Sequence, residues 1–175
     1  EFRRVLFRSI IAFKQRIKLL DEQIKFMRHL EGKGKLNRTI EYLPDDNTLS
    51  EMQATQKTLT RPELAVLMAY AKIDLYDEIL ASKLPDNPAL ESDLFRYFPK
   101  ALQGDYANYI RGHRLRREII ATCLANDLVN RCGPSFVDRI KEISRARTVT
   151  VACAFEASRR IFELEDLVDR INALD

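Results

Sequence analysis

The stretch "LTRPELAVLMAYAKIDLYDEILAS", residues 59–82, decides the fold class of this chain. Thr60 and Glu63 form the T-x-x-E pattern of a capping box, which satisfies backbone N–H groups at the start of a helix. Pro62 falls in the first helical turn, where its missing N–H leaves no hydrogen bond unmade. We therefore predict that a helix begins at Arg61.

Apolar residues occupy most of the circumference of this predicted helix. Placed at about 100° per residue, they leave only a narrow polar strip, which is typical of a helix that other helices surround. The apolar positions are Leu64, Leu67, Met68, Tyr70, Ile73, Leu75, Ile79 and Leu80. We expect a largely buried helix at the centre of the fold.

Helical periodicity extends in both directions from this segment. From Ile10 to about Glu31, apolar residues recur at spacings of three and four. A long segment after Gly104 has the same period and is ended by Gly133 and Pro134, the usual order at a helix C-terminus. No segment alternates with period two over the length of a strand. The sequence predicts an all-α fold, a single domain of about six to eight helices.

The first nine residues, "EFRRVLFRS", differ from everything that follows. They have no helix cap and no period that joins them to the next segment. They carry three arginines and one glutamate, so the net charge falls from +3 to +1 without them. We interpret residues 1–9 as a non-native leader, an artefact, and residues 10–175 as the native helical domain.

The composition argues against a membrane protein and against a metal-binding protein. With 46% hydrophobic residues and no apolar run near the roughly 20 residues that cross a bilayer, the chain reads as a soluble protein with no membrane partner. Cys123, Cys132 and Cys153 lack C-x-x-C spacing, and only His29 and His113 could join them as metal ligands. We predict buried thiols, no metal site and a cytoplasmic location.

A second stretch, "GHRLRREIIATCLANDLVNRCG" at residues 112–133, raises the question of nucleic-acid binding. On one continuous helix, Arg111, Arg114, Arg116 and Arg117 would spread over roughly 260° of the circumference. A track of phosphate groups requires cations on one face, and the net charge is close to zero. We therefore predict no nucleic-acid partner.

Signals for catalysis or nucleotide binding are missing from the same stretch. Arginine is a poor proton-transfer group at neutral pH, and His113 has no acid or nucleophile near it in sequence. The five glycines fit neither G-x-G-x-x-G nor G-x-x-x-x-G-K. We predict that this chain contributes no catalytic, cofactor-binding or metal-binding residue.

The polar residues in this stretch need another explanation. Asn126, Asp127, Asn130 and Arg131 lie among apolar residues that already occupy much of the helix. Buried polar groups need hydrogen-bond partners, so these side chains indicate an interhelical polar network or a surface that docks on another folded domain. The candidate residues for that role are Arg114, Arg116, Arg117, Asn126 and Asn130, with Arg116 the best placed to face the domain's own core.

Three segments resemble a known family: "LTRPELAVLMAYAKIDLYDEIL", "HRLRREIIATCLANDLVNRCGPSFV" and "LNRTIEYLPDD". They are similar to the extreme C-terminal region of the large bacterial NAD-specific glutamate dehydrogenases. The resemblance covers about Ile10 to Asp175 and is strong over Leu59 to Val137. The first nine residues depart from the family, and "SRARTVTVACAFEASRRIF" matches it only loosely.

This resemblance implies an oxidoreductase that converts glutamate, NAD and water to 2-oxoglutarate, ammonia and NADH. In this family the catalytic lysine and aspartate and the dinucleotide-binding fold lie upstream, so no catalytic residue is carried over to this chain. NAD would be the cofactor of the parent enzyme, and the partners would be its catalytic domain and further copies in a homo-oligomer. The alternative is a free-standing helical interaction module without enzymatic activity.

Overall fold

The computed structural model describes residues 20–173. The predicted leader and the part of the predicted first helix before Leu20 lie outside the described residues. Residues 20–173 contain no β-strand, and the all-α prediction is confirmed.

Nine α-helices occur in the described part of the chain, together with three short 3-10 turns. The turns cover Leu84–Asp86, Pro88–Leu90 and Lys100–Leu102. The α-helices are α1 (Leu20–Gly32), α2 (Asp46–Ala54), α3 (Arg61–Leu80), α4 (Glu91–Tyr97), α5 (Ala107–Arg111), α6 (Arg116–Cys132), α7 (Phe136–Ser144), α8 (Thr148–Ile161) and α9 (Leu164–Asn172). The number is slightly above six to eight, in part because a turn divides the predicted segment after Gly104 into α5 and α6.

Helix α3 begins at Arg61, as the capping box predicts, and lies at the centre of the fold. The Glu63 carboxylate accepts the backbone N–H of Thr60 at 2.6 Å. Leu67 and Ile79 are fully buried, and α3 packs chiefly against α6, with α1 and α8 on other sides. The prediction of a central helix is confirmed.

The expectation of a largely buried helix does not hold at Ile73, whose side chain is 50% exposed. Ala65, Ala69 and Asp77, which share its four-residue spacing, are exposed as well. Residues four apart lie on one face of a helix, so they form a continuous strip. Helices α1, α6 and α8 pack against the other faces of α3 and leave this strip open.

The segment after Gly104 is not one helix, and this changes the argument about its arginines. Helix α5 ends at Arg111 and α6 begins only at Arg116. Gly112 is the C-cap of α5, and Arg114 lies in the turn that follows. The arginines therefore do not share one helical circumference, and the predicted spread of 260° was wrong.

The C-terminal end of α6 occurs at Gly133, where the sequence predicts it. Gly133 caps α6 with φ of 93°, a left-handed-region backbone that residues with a Cβ rarely adopt. A break at Phe162 and Glu163 separates α8 from α9, and Glu163 has φ of 48°. Gly133 and Glu163 therefore lie at the breaks that separate the C-terminal helices from one another.

A buried carboxylate on α3 fixes the loop after α1. Lys33 Nζ donates to Asp74 at 2.8 Å, and Lys35 Nζ lies 2.9 Å from the other oxygen of the same group. Burial raises the pKa of the Asp74 carboxyl, but the hydrogen bonds and charges of the two lysines lower it by more, so its pKa lies below the ordinary 3.8. The ionised form of Asp74 is therefore favoured in the folded state.

Asp74→Asn is expected to lower the free energy of unfolding at pH 7 by about 1.5–3 kcal/mol, because it removes the negative charge that pairs with Lys33 and Lys35 and leaves one acceptor oxygen in place of two. A carboxyl with a lowered folded pKa adds stability above its unfolded pKa and loses that stability as the pH falls through the folded value. The difference from wild type should therefore shrink below about pH 4, which urea melts across pH can measure. Asp105→Asn, at an exposed carboxylate that does not contact these two lysines, is the control. A difference that stays constant down to pH 2.5 would contradict the assignment.

Candidate functional site

The five candidate docking or network residues take three different positions. Arg114 is exposed in the turn before α6, and Arg116 and Arg117 are half-buried in the first turn of α6. Asn126 and Asn130 are half-buried one turn apart on the second half of the same helix. The structure therefore does not bring all five together into one cluster.

Arg117 joins the start of α6 to the end of α3. One of its terminal nitrogens donates to the backbone carbonyl of Leu80 at 2.9 Å and to that of Ser82 at 2.8 Å. Its other terminal nitrogen pairs with Asp86. The last carbonyls of a helix lack partners within the helix, and a guanidinium that binds them also opposes the negative end of the helix dipole. Arg117 therefore contributes to the internal structure of the domain.

Asn126 lines a shallow groove between α3 and α6. The groove has a volume of about 270 Å³. Lys72, Ile73 and Tyr76 of α3 face it from one side, and Thr122 and Ala125 of α6 lie on the other. Because Ile73 also belongs to the exposed strip of α3, the groove and the strip form one continuous surface, here called the α3 surface. Its centre is apolar, and its charged and amide side chains are those of Lys72, Asp77 and Asn126.

Asp127 and Arg131 lie in an ion-pair network that joins four helices. Asp127 accepts a hydrogen bond from Arg96 of α4 at 2.8 Å and one from Arg159 of α8. Arg131 donates to Glu165 of α9 at 2.9 Å. The polar pattern on α6 that indicated an interhelical network thus reflects contacts with α4, α8 and α9.

Arg159 is the centre of this network. It is 5% exposed, and its guanidinium contacts Asp93 at 3.2 Å, Glu156 at 3.0 Å and Glu165 at 3.0 Å in addition to Asp127. Burial lowers the pKa of Arg159, but the surrounding carboxylates raise it by more, so its pKa lies above the ordinary value. The cation is therefore held in its charged form at every accessible pH.

The surroundings of Glu156, in contrast, disfavour its charged form. Burial raises the pKa of its carboxyl, the charge of Asp93 raises it further, and Arg159 and Arg160 offset only part of this, so the net pKa lies above 4.5. Two carboxylates near each other disfavour their common ionisation. The network thus depends on its arginines to hold several acids together in the interior.

Sequence reasoning missed Asp93, Arg96, Glu156, Arg159 and Glu165 as members of this network. A signal did exist on α8, where Glu156 and Arg159 fall at helical spacing from the buried Val151 and Ala152. A charged residue on the apolar face of a helix needs a buried partner. The pattern would not have identified the partners, because they lie on other helices.

The chemistry open to the described residues is limited. No group of three or more His, Cys, Asp or Glu side chains in residues 20–173 is placed to hold a metal ion. Burial raises the pKa of the Cys123 and Cys132 thiols to about 11, which keeps them protonated at neutral pH. Cys123 and Cys132 are half-buried and Cys153 is exposed, so the prediction of buried thiols was wrong for Cys153 and holds only in part for the other two. No helix within residues 20–173 has the length and apolarity to cross a bilayer.

The fold and the network define this chain as an all-α domain organised around an internal set of ion pairs. The family described as "Glutamate dehydrogenase, C-terminal" matches residues 56–175. The chain belongs to this family, and the resemblance carried by residues 59–137 is confirmed.

Three curated relatives share the name NAD-specific glutamate dehydrogenase. The protein of Pseudomonas aeruginosa is 42% identical over 154 residues, which cover 88% of this chain and 10% of the relative. That of Halomonas elongata is 39% identical over 151 residues, and that of Mycobacterium tuberculosis 37% over 147 residues; these alignments cover 86% and 84% of this chain and 9% of each relative. The chain thus spans about one tenth of the length of these relatives. No solved structure matches it significantly.

Proposed function

We propose that this chain is the C-terminal domain of an NAD-specific glutamate dehydrogenase and serves that enzyme as a structural and docking domain. The parent enzyme would oxidise glutamate to 2-oxoglutarate and ammonia while reducing NAD. The observation that carries the proposal is 42% identity over 88% of this chain to a relative of that name. The relatives contain the matching region as one tenth of a longer chain, which favours this function over a free-standing interaction module.

NAD would bind to the upstream part of the enzyme and not to this domain. Hydride transfer requires a fold that positions the dinucleotide, and glycine-rich turns between a strand and a helix usually supply it. The described residues are helical throughout, and the five glycines of the chain do not form such a motif. The partners of the domain would be the catalytic part of the same polypeptide and further copies in a cytoplasmic homo-oligomer.

The NAD assignment predicts a clear difference between this chain and the full-length polypeptide. Calorimetric titration of the 175-residue chain with NAD should give no saturable heat, because the groups that hold the dinucleotide lie elsewhere. The same titration of the full-length polypeptide should saturate. Micromolar binding to the 175-residue chain would overturn this assignment.

The α3 surface is the best-supported contact with the rest of the polypeptide. Ala65 and Ala69 lack bulky side chains, so a neighbouring backbone can approach closely there, and Ile73 offers an apolar anchor. Exposed apolar patches on a folded domain often mark sites of contact with another protein surface. About nine tenths of the length of these relatives lies outside the matched region. We propose that part of that sequence packs on the α3 surface.

Four of the candidate residues remain for polar contacts at the edge of this interface: Asn126, Asn130, Arg114 and Arg116. Asn126 has the strongest support, because it borders the groove that Ile73 and Tyr76 line. A half-buried amide at the edge of an apolar surface gives a partner a directional hydrogen bond, which fixes the orientation of the docked domain. Arg117 is the weakest candidate, since its donors bind the end of α3.

Ile73→Ala is expected to change the free energy of unfolding of this chain by less than about 1 kcal/mol, since the side chain is half exposed. In the full-length polypeptide it should lower assembly or glutamate dehydrogenase activity several-fold, because interface anchors cost more than 1 kcal/mol when truncated. Asn126→Ala should act in the same direction. Ile143→Ala, at an exposed isoleucine on α7, is the matched control. Unchanged assembly and activity of the full-length Ile73→Ala variant would exclude docking through the α3 surface.

A further inference from the structure

Residues 37–43, here called the 37–43 turn, lie between α1 and α2 and present two large apolar side chains to solvent. Ile40 is 69% exposed, and Tyr42 is 90% exposed, the largest value for any large hydrophobic residue in the described part of the chain. Single apolar residues on a surface are common and need no explanation. These two differ, because the backbone that holds them is strained at one position and firmly fixed as a whole.

Tyr42 has φ of 53°, in the left-handed region of backbone conformation. It follows a single helical turn, across which the backbone N–H of Leu43 donates to the carbonyl of Arg38 at 2.9 Å. Glycine usually occupies this position after a helical turn, because a side chain there is strained. The three other non-glycine residues with positive φ among residues 20–173 are polar or charged. A position that suits glycine thus holds a large aromatic side chain that the domain itself does not bury.

Side-chain hydrogen bonds fix the 37–43 turn to the helices on both sides. Arg38 donates to Glu31 of α1 at 2.7 Å and to Asp46 of α2 at 3.2 Å. It also donates to the backbone carbonyl of Pro44 at 3.1 Å. The two exposed side chains therefore project from a backbone that is held in place. Groups that are fixed before binding lose less conformational freedom when a partner covers them.

A hydrogen bond places the 37–43 turn beside the α3 surface. The Tyr70 hydroxyl of α3 donates to the Glu41 carboxylate at 2.7 Å. Residues three apart on a helix are neighbours on its surface, so Tyr70 and Tyr76 flank the exposed Ile73 on opposite sides. The groove lies on the Tyr76 side, and the turn lies on the Tyr70 side. The turn, the exposed strip and the groove therefore follow one another across α3.

We propose that the 37–43 turn is an anchor for the same partner as the α3 surface, and that Tyr42 and Ile40 insert into an apolar concavity of the upstream part of the parent polypeptide. That part is large enough to cover both, because the matched region is only one tenth of the relative. Tyrosine is enriched among the interface residues that contribute most to binding. This inference rests on the proposed docking function and adds the residues that fix the position of the docked segment.

Hydroxyl-radical footprinting of the wild-type protein tests the proposal, because it labels tyrosines according to their access to solvent. Tyr42 should be labelled rapidly in the 175-residue chain and several-fold more slowly in the full-length polypeptide. Equal labelling of Tyr42 in the two proteins would overturn the proposal. Protection within the 175-residue chain that increases with its concentration would overturn it as well, since a second copy would then cover the turn.

Tyr42→Asn separates docking from the internal structure of the domain. Asparagine adopts the left-handed conformation more readily than tyrosine, so the thermal unfolding midpoint of the 175-residue chain should stay unchanged or rise. In the full-length polypeptide the same substitution should lower assembly or glutamate dehydrogenase activity several-fold, whereas Tyr42→Phe, which keeps the ring, should not. Tyr109→Asn, at a tyrosine of α5 that is 76% exposed, is the matched control and should behave like wild type.

Two results with Tyr42→Asn would contradict the proposal. A lower midpoint in the 175-residue chain would mean that Tyr42 supports the fold, and unchanged assembly and activity of the full-length variant would mean that it contacts no partner. Ile73→Ala distinguishes this failure from a failure of the docking function. If Ile73→Ala impairs the full-length polypeptide and Tyr42→Asn does not, only the present inference fails. If neither substitution impairs it, docking through the α3 surface fails too.

Discussion

Replacing Arg159 by methionine is expected to lower the free energy of unfolding by about 3–5 kcal/mol. Methionine fills much of the same volume, so the loss comes from charge rather than from a cavity. Without the guanidinium, Asp93 and Glu156 remain buried, each with 6% of its side chain exposed, and keep only the partly exposed cations of Arg96 and Arg160. Chemical denaturation followed by circular dichroism measures the change directly.

Two further variants separate the network from the general effect of removing an arginine. Arg114→Met removes an exposed arginine and should change the stability by less than about 0.5 kcal/mol. Arg159→Met combined with Glu156→Gln should recover part of the loss, because the second substitution neutralises one of the stranded carboxylates. If the double variant is as unstable as the sum of the two single variants, Arg159 and Glu156 are not energetically coupled.

The local part of this fold could be predicted from the sequence because its signals act over a few residues. The capping box at Thr60 and Glu63 concerns four consecutive positions, and it placed the start of α3 at the correct residue. The same holds for the end of α6 at Gly133, where the glycine provides a left-handed backbone. Such signals depend only on backbone groups that are close in sequence.

The break between α5 and α6 shows the limit of periodic patterns. Apolar spacing suggested one helix after Gly104, yet the chain turns at Gly112 and resumes a helix at Arg116. His113 Nδ1 accepts the backbone N–H of Leu115 at 3.2 Å, which stabilises the turn. A single glycine is compatible with either a continuous helix or a break, and tertiary packing decides between them.

The ion-pair network could be anticipated only in part. Asp127 and Arg131 stood out because they interrupt an apolar helix, and this correctly indicated contacts between helices. Their partners could not be identified, since the contact from Arg159 to Asp93 joins residues 66 positions apart. Which helices pack together is a property of the whole core, and a single sequence carries no direct record of it.

Exposure on α3 was harder to predict for a related reason. Hydrophobicity indicates that Ile73 prefers to be covered, but it does not say whether the same domain covers it. Ala65 and Ala69 are compatible with either a buried or an exposed face. The exposed strip therefore becomes informative only once the neighbouring helices are placed, and it then supports the proposal that this side of the domain contacts the rest of the polypeptide.

Leu67→Ala is expected to lower the free energy of unfolding by about 2–5 kcal/mol. Leu67 is fully buried on α3, where it belongs to the core shared with α6. Its truncation removes apolar contacts and leaves a cavity that the surrounding helices can fill only in part. Urea melts of the 175-residue chain measure the loss, with the slope of the transition checked for constancy so that the midpoints can be compared.

Two other substitutions on the same helix turn this measurement into a test of how α3 is placed. Thr60→Ala removes the hydroxyl half of the capping box and should cost only about 1 kcal/mol. Ile73→Ala removes an apolar side chain of similar size from the exposed strip and should cost less than about 1 kcal/mol, although both residues belong to one apolar helix. The larger cost at Leu67 than at Ile73 follows from burial and not from hydrophobicity, whereas the cost at Thr60 follows from the lost helix cap. If Ile73→Ala were as destabilising as Leu67→Ala in this chain, the strip would be covered by the domain itself, and the α3 surface could not receive the rest of the polypeptide.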